Sequence, residues 1–329
     1  MGQDRRDSKK VALGLLLGVA GWLLPTASVQ AQTVEMLKYG NMDQWIVRTV
    51  EESAIIGGQK KTLYHVAPNG TWDNRPYTPQ GGSPWGCSNI MARVAGITKT
   101  NSSVMRDVHP GHGYCAKLYT KHEQVKVLGL VNIKVLAPGA LFLGHLIEPI
   151  TGTKDPMMKM NWGVPFTKRP KAICFDYKVQ LSGQPNREKR TGFSSVKTVS
   201  GPDQCDFVLY LQKRWEDSNG NIYAKRVGTV LHRFGQNTKG WVEDASFEIH
   251  YGDITKEPWY KDYMGLTRGE LVRCAKNSKG KMTPVVETGW ADANEVPTHL
   301  CLQFDSSHGE AYVGSPGNTL WVDNVRLTY

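Results

Sequence analysis

The sequence predicts an all-β protein, a jelly-roll-type sandwich with long loop insertions, and three observations lead to this prediction. Several segments alternate apolar and polar residues with a period of two, which is typical of half-buried strands. Turns rich in glycine, proline and asparagine separate these segments, whereas helical periodicity is hard to find. The pair Asn219-Gly220 supplies the positive φ angles that a tight hairpin turn needs. We therefore expect two facing sheets around one core.

The clearest predicted strand runs from residue 172 to 181, where the apolar side chains fall on every second position. Residues 207–211 are apolar on both sides, as expected for a strand that is covered on both faces. The Asn219-Gly220 turn is predicted to join this strand to the next one. The predicted strands lie at 125–135, 172–181, 207–215, 223–231, 246–251, 298–304 and 320–327.

Two stretches lack a clear alternation of apolar and polar residues. Residues 52–112 are rich in glycine, proline, asparagine and threonine, and they are predicted to form a loop-rich insertion. A second insertion-like stretch runs from Pro258 to Pro284. Loops of such length in a compact domain are usually functional or mobile.

The N-terminal residues 1–31 have the three parts of a cleaved signal peptide. Positive residues come first, an apolar stretch from Val11 to Leu24 follows, and small residues precede a cut after Ala31. The apolar stretch is too short for a spanning helix, which needs about 20 residues. We therefore expect a secreted product, periplasmic or on the cell surface, that folds as a single domain over residues 32–329 without a transmembrane segment.

The chain carries a formal net charge of +10. A basic surface suits an acidic partner such as a uronic-acid polysaccharide or an anionic lipid, although a merely solvated basic surface is the preferred explanation of the charge. No block of lysine and arginine is dense enough to predict a nucleic-acid groove.

Six cysteines remain after the predicted cut. In an oxidising compartment they could pair in 15 ways, between which the sequence does not choose. Alternatively, they serve as small buried hydrophobic residues. They are Cys87, Cys115, Cys174, Cys205, Cys274 and Cys301.

Three segments in combination resemble a bacterial family. They are Gly113–Leu118, Gly163–Lys178 and Ser306–Val325. These segments are similar to motifs of the putative carbohydrate metabolism domain family, found in exported proteins of Gram-negative glycan-degrading bacteria, and the similarity covers about residues 110–329. Asn41–Trp45 also resembles the opening strand that the family shares with carbohydrate-binding jelly rolls. The resemblance implies a sandwich like that of carbohydrate-binding modules, encoded near sugar-utilisation machinery, and it transfers no catalytic residue.

Aromatic residues in the loops are the candidate ligand-binding groups. An exposed indole or phenol can stack on the flat apolar face of a sugar while polar neighbours bond its hydroxyl groups. The competing interpretation is that these rings anchor loops on the core. The candidates are Trp72, Tyr77, Trp85, Trp259, Tyr260 and Trp290.

Paired carboxylates would instead indicate a glycosidase, whose two acids flank the scissile bond about 5–9.5 Å apart. Glu287, Asp292 and Glu295 form the best local cluster, although loops carry acids routinely. No Gly-x-Ser-x-Gly, dinucleotide or phosphate-loop pattern is present, so nucleophilic serine chemistry and nucleotide cofactors are not predicted.

The sequence gives only weak indications of a metal site. His109, His112 and Cys115 follow a three-residue step, but a structural zinc site needs four ligands and no second pair is nearby in sequence, so a loop before a strand is the preferred interpretation. Asp43 and Asp323 are expected in adjacent opening and closing strands, where a structural calcium ion could bridge them. No other cofactor is predicted.

The leading hypothesis is an exported, non-catalytic protein that binds a polysaccharide or oligosaccharide, and an acidic glycan is one option that the charge leaves open. It would act with other envelope proteins of glycan utilisation. The first alternative is a glycoside hydrolase with a paired-carboxylate site. The second is a structural or interaction protein of the cell envelope.

Overall fold

The computed structural model of the protein describes residues 33–127, 131–152, 154–192 and 195–329. The predicted signal peptide therefore lies outside the described residues. Helical structure in the described part is confined to four short 3₁₀ segments: Ala54–Ile56, Pro156–Lys159, Asp262–Met264 and Gly269–Leu271. None of the helices in this part of the chain has the length and apolar character to cross a membrane.

The described residues form 27 strands. The first 13 are β1 Val34–Met36, β2 Trp45–Glu51, β3 Lys60–Val66, β4 Gly70–Asp73, β5 Trp85–Cys87, β6 Ile90–Val94, β7 Ile97–Asn101, β8 Val104–His109, β9 Gly113–Tyr119, β10 Lys121–Val127, β11 Val131–Ala137, β12 Ala140–Leu146 and β13 Met160–Trp162. The remainder are β14 Val164–Pro165, β15 Ala172–Gln180, β16 Arg187–Lys189, β17 Thr191–Gly192, β18 Lys197–Val199, β19 Cys205–Glu216, β20 Ile222–Phe234, β21 Val242–Glu248, β22 His250–Tyr251, β23 Cys274–Lys276, β24 Met282–Trp290, β25 His299–Asp305, β26 Val313–Gly314 and β27 Thr319–Thr328.

A six-stranded sheet, the small sheet, forms one layer. Its strand order is β21-β15-β27-β9-β8, and β1 pairs with β27 as well. The central strand β15 confirms the predicted strand at 172–181, because its residues Ile173, Phe175 and Val179 are buried in the core.

A ten-stranded sheet, the large sheet, forms the opposing layer. Its order is β14-β25-β19-β20-β24-β23-β13-β12-β5, with β22 on β20. Strands β19 and β20 form a long antiparallel hairpin around Asn219-Gly220, as the sequence predicts. Because β12 also pairs with β25, the seven strands from β25 to β12 are linked in a closed ring.

Aromatic rings from both sheets meet in the core. The Phe175 ring of the small sheet lies 4.9 Å from Phe207 and 5.0 Å from Phe304 of the large sheet, measured between ring centroids. Phe247 of β21 lies 4.8 Å from Phe207. Apolar faces of two sheets thus pack on each other, which confirms the predicted all-β sandwich.

The segment 52–112 differs from its prediction as a loop-rich insertion, because it contains the six strands β3 to β8. These strands have three to seven residues each, and their apolar residues do not alternate regularly with polar ones. The segment is tied to the rest of the domain through Glu148, which accepts hydrogen bonds from the Tyr77 and Met91 amides at 2.9 and 3.0 Å and forms a buried ion pair with Arg48 of β2. The single strand predicted at 125–135 is in the structure two antiparallel strands, β10 and β11. The alternation of apolar and polar residues does not show where one strand ends and the next begins.

All six cysteines are buried and unpaired. Of the two interpretations left open by the sequence, the structure therefore shows small buried hydrophobic residues.

Candidate functional site

Two aromatic side chains stack on the surface near the tip of the β19–β20 hairpin. Trp215 and Tyr223 are direct partners across the two strands, with ring centroids 5.9 Å apart and an interplanar angle of 25°. Trp215 is 43% exposed. Val286 of β24 is the partner of Tyr223 on its other side and is 44% exposed. We call Trp215, Tyr223 and Val286 the aromatic platform.

The platform exists because the hairpin extends past the core. Alternate residues of a strand share a face, so Trp215 lies on the same face of β19 as Lys213 and Leu211. Leu211 is fully buried in the core, whereas Lys213 and Trp215 are exposed. The sandwich core therefore ends near residue 211, and the aromatic pair beyond it remains open to solvent.

Lysines flank the aromatic platform. Lys213 and Lys225 are direct cross-strand partners in the row next to Trp215 and Tyr223. Lys213 Nζ lies 2.6 Å from Glu295 Oε1, while Lys225 is exposed and has no ion-pair partner among the described residues. The platform thus combines an open aromatic surface with one uncompensated positive charge.

The first loop cluster of predicted ligand residues is only partly accessible. Trp85 is 2% exposed in β5 and donates its Nε1–H to the Lys38 carbonyl, so its prediction as an exposed stacking residue is wrong. Trp72 is half-buried and has the Arg75 guanidinium 3.8 Å from its ring centroid. Tyr77 is also half-buried and stacks on His65 at 3.7 Å. For Trp72 and Tyr77, ligand binding stays a prediction.

The remaining predicted aromatic residues lie half-buried in different surroundings. Trp259 packs on His250 with ring centroids 4.2 Å apart, and Tyr260 follows it in the chain. Trp290 lies near the Arg226 guanidinium, 5.6 Å from its ring centroid. Ligand binding by these three aromatic residues also stays a prediction.

Glu287 is part of a buried ion pair. Arg226 donates from Nε and Nη2 to the two carboxylate oxygens at 2.6 and 2.5 Å, and neither side chain is exposed. Gln212 Nε2 and the Thr267 amide complete the bonding at 2.7 and 2.8 Å. Although burial acts to raise it, the Arg226 charge and these hydrogen bonds hold the pKa of Glu287 below its usual value. This arrangement stabilises the fold and leaves the carboxylate without a free oxygen for catalysis.

Asp292 and Glu295 lie together on an exposed turn, where the Glu295 amide donates to the Asp292 carbonyl. Glu295 accepts a hydrogen bond from Lys213, which flanks the platform, and this hydrogen bond lowers the pKa of Glu295. The three acids that are close in sequence therefore separate into one buried group and two surface groups.

Sequence analysis missed a different pair of acids. Asp206 of β19 and Asp305 of β25 are direct partners on adjacent antiparallel strands, a position in which Cα atoms lie about 4.5–5.5 Å apart. Gln303 Nε2 donates to both oxygens of Asp305, at 2.9 and 2.8 Å. The nearest cation to Asp206 is Arg233, whose Nε lies 3.8 Å from Oδ2. Asp305 and Gln303 also line a cavity of about 290 Å³.

The surroundings of this acid pair favour the protonated form. Burial raises the pKa of Asp305 to about 6. Burial and the neighbouring Asp305 charge raise the pKa of Asp206 well above its usual value. The cavity beside the pair has mainly apolar walls, formed in part by Ile90, Ile133 and Leu146. A carboxyl group that keeps its proton near neutral pH beside a cavity can act as a general acid.

The raised pKa values predict a pH-dependent cost of folding. The native state holds the Asp305 proton up to about pH 6, whereas an unfolded aspartate loses it near pH 4, so stability falls as the pH rises through this window. We expect Asp305→Asn to stabilise the protein at pH 8 by about 1–2 kcal/mol and to have less effect at pH 4. Urea unfolding at pH 4, 6 and 8 measures this difference. Equal stability of the variant and the unmodified protein at every pH would contradict the assignment.

The predicted calcium ligands have protein partners. Asp43 accepts hydrogen bonds from the Tyr114 amide and from Asn41 Nδ2, at 3.0 and 2.9 Å. Asp323 is fully buried, and its Oδ2 lies 2.8 Å from His109 Nδ1. Asp43 precedes β2 instead of lying in a strand next to β27, and the opening strand that pairs with β27 is β1. A calcium ion between Asp43 and Asp323 stays a prediction.

Comparisons with known proteins found similar solved structures of low sequence identity. No curated protein matches the chain. It is similar to the crystal structure of a putative glycoside hydrolase from Bacteroides thetaiotaomicron VPI-5482, with 16% identity, a TM-score of 0.45, and coverage of 83% of this chain and 81% of that one. A putative glycoside hydrolase from Bacteroides vulgatus ATCC 8482 has 14% identity, a TM-score of 0.41, and coverage of 90% and 94%.

The sequence itself matches a family model more directly. The model described as "Putative carbohydrate metabolism domain" matches residues 53–250, which include most of both sheets and the β19–β20 hairpin. This match supports a carbohydrate-related role. The chain therefore belongs to the putative carbohydrate metabolism domain family.

Proposed function

We propose that this protein is an exported, non-catalytic carbohydrate-binding protein and that it holds an acidic glycan on the aromatic platform. The observation that carries this proposal is the exposed Trp215–Tyr223 stack beside Lys213 and Lys225. In this role the protein would work with other envelope proteins of glycan utilisation.

The aromatic platform and the lysines beside it contribute differently to binding. The indole of Trp215 offers an apolar surface on which the C–H face of a sugar ring can stack, and a rigid aromatic loses little conformational freedom on binding. Lys225 offers an unpaired charge to a uronate or sulfate group. Surface ion pairs contribute only about 0–1 kcal/mol each and are screened by salt. We therefore expect stacking to provide most of the affinity and the lysines to provide the preference for acidic glycans.

Replacing Trp215 tests the platform. We expect Trp215→Ala to weaken binding of oligogalacturonates by about tenfold or more, equivalent to about 1.4 kcal/mol or more, as measured by isothermal titration calorimetry. Stability should change by less than about 1 kcal/mol, because only a cross-strand surface pair is lost. Lys225→Gln should weaken binding of oligogalacturonates and leave binding of neutral cello-oligosaccharides unchanged.

Trp259→Ala is the matched control. Trp259 is one of the loop aromatic residues that the sequence predicts to bind ligand, and it lies outside the aromatic platform. The proposal predicts normal binding by this variant. If Trp259→Ala abolishes binding while Trp215→Ala binds normally, the ligand site lies in the predicted loop cluster and the platform assignment is wrong.

A glycoside hydrolase is the second candidate function, and the acid pair of Asp206 and Asp305 beside the cavity favours it. A general acid with a raised pKa next to a second carboxylate is the arrangement that glycosidases use. The test is release of reducing sugar from a panel of polysaccharides. Activity that is lost in Asp305→Asn and kept in Trp215→Ala would establish catalysis at the cavity. A lack of release from every substrate would leave carbohydrate binding as the function.

A further inference from the structure

Four side chains converge on the face of the small sheet that points away from the core. His109 ends β8, His112 lies in the following turn, Asp176 comes from β15 and Glu243 from β21. One ligand atom from each of the four lies within 4.8 Å of all the others. We propose that this cluster binds a divalent transition-metal ion of the zinc type, independently of the aromatic platform.

His109 lies between two carboxylates, an arrangement that a bound cation would satisfy. Its Nδ1 lies 2.8 Å from Asp323 Oδ2, and its Nε2 lies 3.1 Å from Glu243 Oε1. A neutral imidazole has one N–H and one lone pair, so it can donate to only one of these carboxylates. The second contact requires a second proton on the ring, a proton on the carboxyl group, or a cation between the ring nitrogen and the carboxylate. A metal ion bound to Nε2 and Glu243 satisfies both sides.

Further contacts hold the ligands in place. Asp323 receives the Nδ1–H of His109 and thus orients Nε2, as carboxylates commonly do behind metal-bound histidines. Asp176 accepts hydrogen bonds from the Asp244 amide at 2.7 Å and from Asn324 Nδ2 at 2.7 Å. Trp241 stacks on His109, with ring centroids 3.6 Å apart. The buried half of the site is therefore already oriented for an ion.

The charge around the site also favours a cation. Asp176 and Asp323 are both buried, with 3% and 0% exposure, and Glu243 adds a third carboxylate. The nearest arginine to these buried acids is Arg326, whose Nη1 lies 3.9 Å from Asp176 Oδ1. One such distant contact does not balance three carboxylates, and a divalent ion would compensate the remainder.

The ligand types select the ion. Imidazole and carboxylate groups suit zinc and its neighbours among the transition metals, whereas calcium takes oxygen ligands alone. Zinc ligands at about 2.0–2.2 Å from the ion lie roughly 3.4 Å apart, so the widest pair, which lies within 4.8 Å, must approach by up to about 1.4 Å. His112 and Glu243 are the exposed members, and their side chains have room to make this movement.

Zinc titration of the full, chelator-treated protein tests the proposal. We expect one equivalent of Zn²⁺ to bind near pH 7.5, and Co²⁺ in its place to give visible d–d absorption. His112→Ala and Glu243→Gln should each weaken Zn²⁺ binding by about tenfold or more. Both residues are exposed, so the variants should fold. Glu248→Gln is the matched control, because Glu248 is an exposed acid on the same strand, and it should bind Zn²⁺ normally.

Three results would overturn the proposal. The first is the absence of stoichiometric Zn²⁺ binding by the folded protein. The second is unchanged affinity in both His112→Ala and Glu243→Gln. The third is preferential binding of Ca²⁺ over Zn²⁺, because an imidazole-containing site would not show that order.

Discussion

Glu287→Ala is expected to destabilise the folded protein by about 3–5 kcal/mol. The substitution leaves the Arg226 guanidinium buried at 0% exposure, without its carboxylate partner and with the Tyr210 ring 3.3 Å away. The Thr267 amide and the Gln212 side chain lose their acceptor as well. The unpaired charge is the main cost, because the Arg226 guanidinium has 0% exposure and water does not solvate it in the folded state.

Guanidinium unfolding followed by tryptophan fluorescence measures this effect. The double variant Arg226→Met, Glu287→Leu removes both charges and should lose less stability than either single variant, because replacing a whole buried pair by apolar groups is often nearly neutral. Glu248→Gln on the exposed face of β21 is the control and should stay within about 0.5 kcal/mol of the unmodified protein. A loss below about 1 kcal/mol in Glu287→Ala would show that the pair is open to solvent.

Phe207→Ala has an expected effect of similar size, a loss of about 3–5 kcal/mol of unfolding free energy. The Phe207 ring is fully buried and contacts aromatic rings of both sheets, with ring centroids of Phe247 and Phe175 of the small sheet at 4.8 and 4.9 Å and that of Phe304 of the large sheet at 5.7 Å. Its removal leaves a cavity at the middle of the interface between the sheets, and the surrounding strands are too firmly paired to close it.

The same unfolding measurement applies, with Val296→Ala as the control. Val296 is 49% exposed, so this substitution should cost less than about 0.5 kcal/mol. Phe207→Leu keeps most of the buried volume, so its unfolding free energy should lie between those of Phe207→Ala and Val296→Ala. If Phe207→Ala and Val296→Ala were equally stable, the two sheets would not share the core described here.

The sandwich was predictable from sequence because its core strands bury one face each. In β15 the alternation of Ile173, Phe175 and Val179 with polar residues is a direct result of that burial. The hairpin at Asn219-Gly220 was predictable for a similar reason, since its turn chemistry is local. By contrast, the short strands of residues 60–109 depend on tertiary contacts such as the hydrogen bonds from the Tyr77 and Met91 amides to Glu148, and such contacts leave no regular alternation in the local sequence.

The candidate sites depended on distant pairings, which sequence spacing does not reveal. Asp206 and Asp305 are far apart in the chain, and only the register of β19 and β25 places them side by side. A signal for them existed, because each acid adjoins a phenylalanine in an otherwise apolar stretch. Trp215 and Tyr223 had a clearer signal: they lie four residues to either side of Asn219, so a symmetric hairpin makes them partners.

The spacing of His109, His112 and Cys115 was noted as metal-like, but a loop before a strand was the preferred interpretation, because the carboxylates near the two histidines come from β15 and β21. Local sequence could supply only half of such a ligand set. The structure also changed the interpretation of Glu287, because the buried Arg226 that neutralises it lies on the neighbouring strand β20.

The six buried, unpaired cysteines allow the opening of individual strands to be followed by thiol alkylation. Burial raises the pKa of Cys87 and Cys115 to about 12, so neither a reactive thiolate nor an access route is available in the closed state. Alkylation of each thiol must then wait for its own strand to open. Since Cys115 and Cys174 lie in the small sheet and Cys205 and Cys301 in the large one, labelling rates resolved by mass spectrometry would show which layer loosens first.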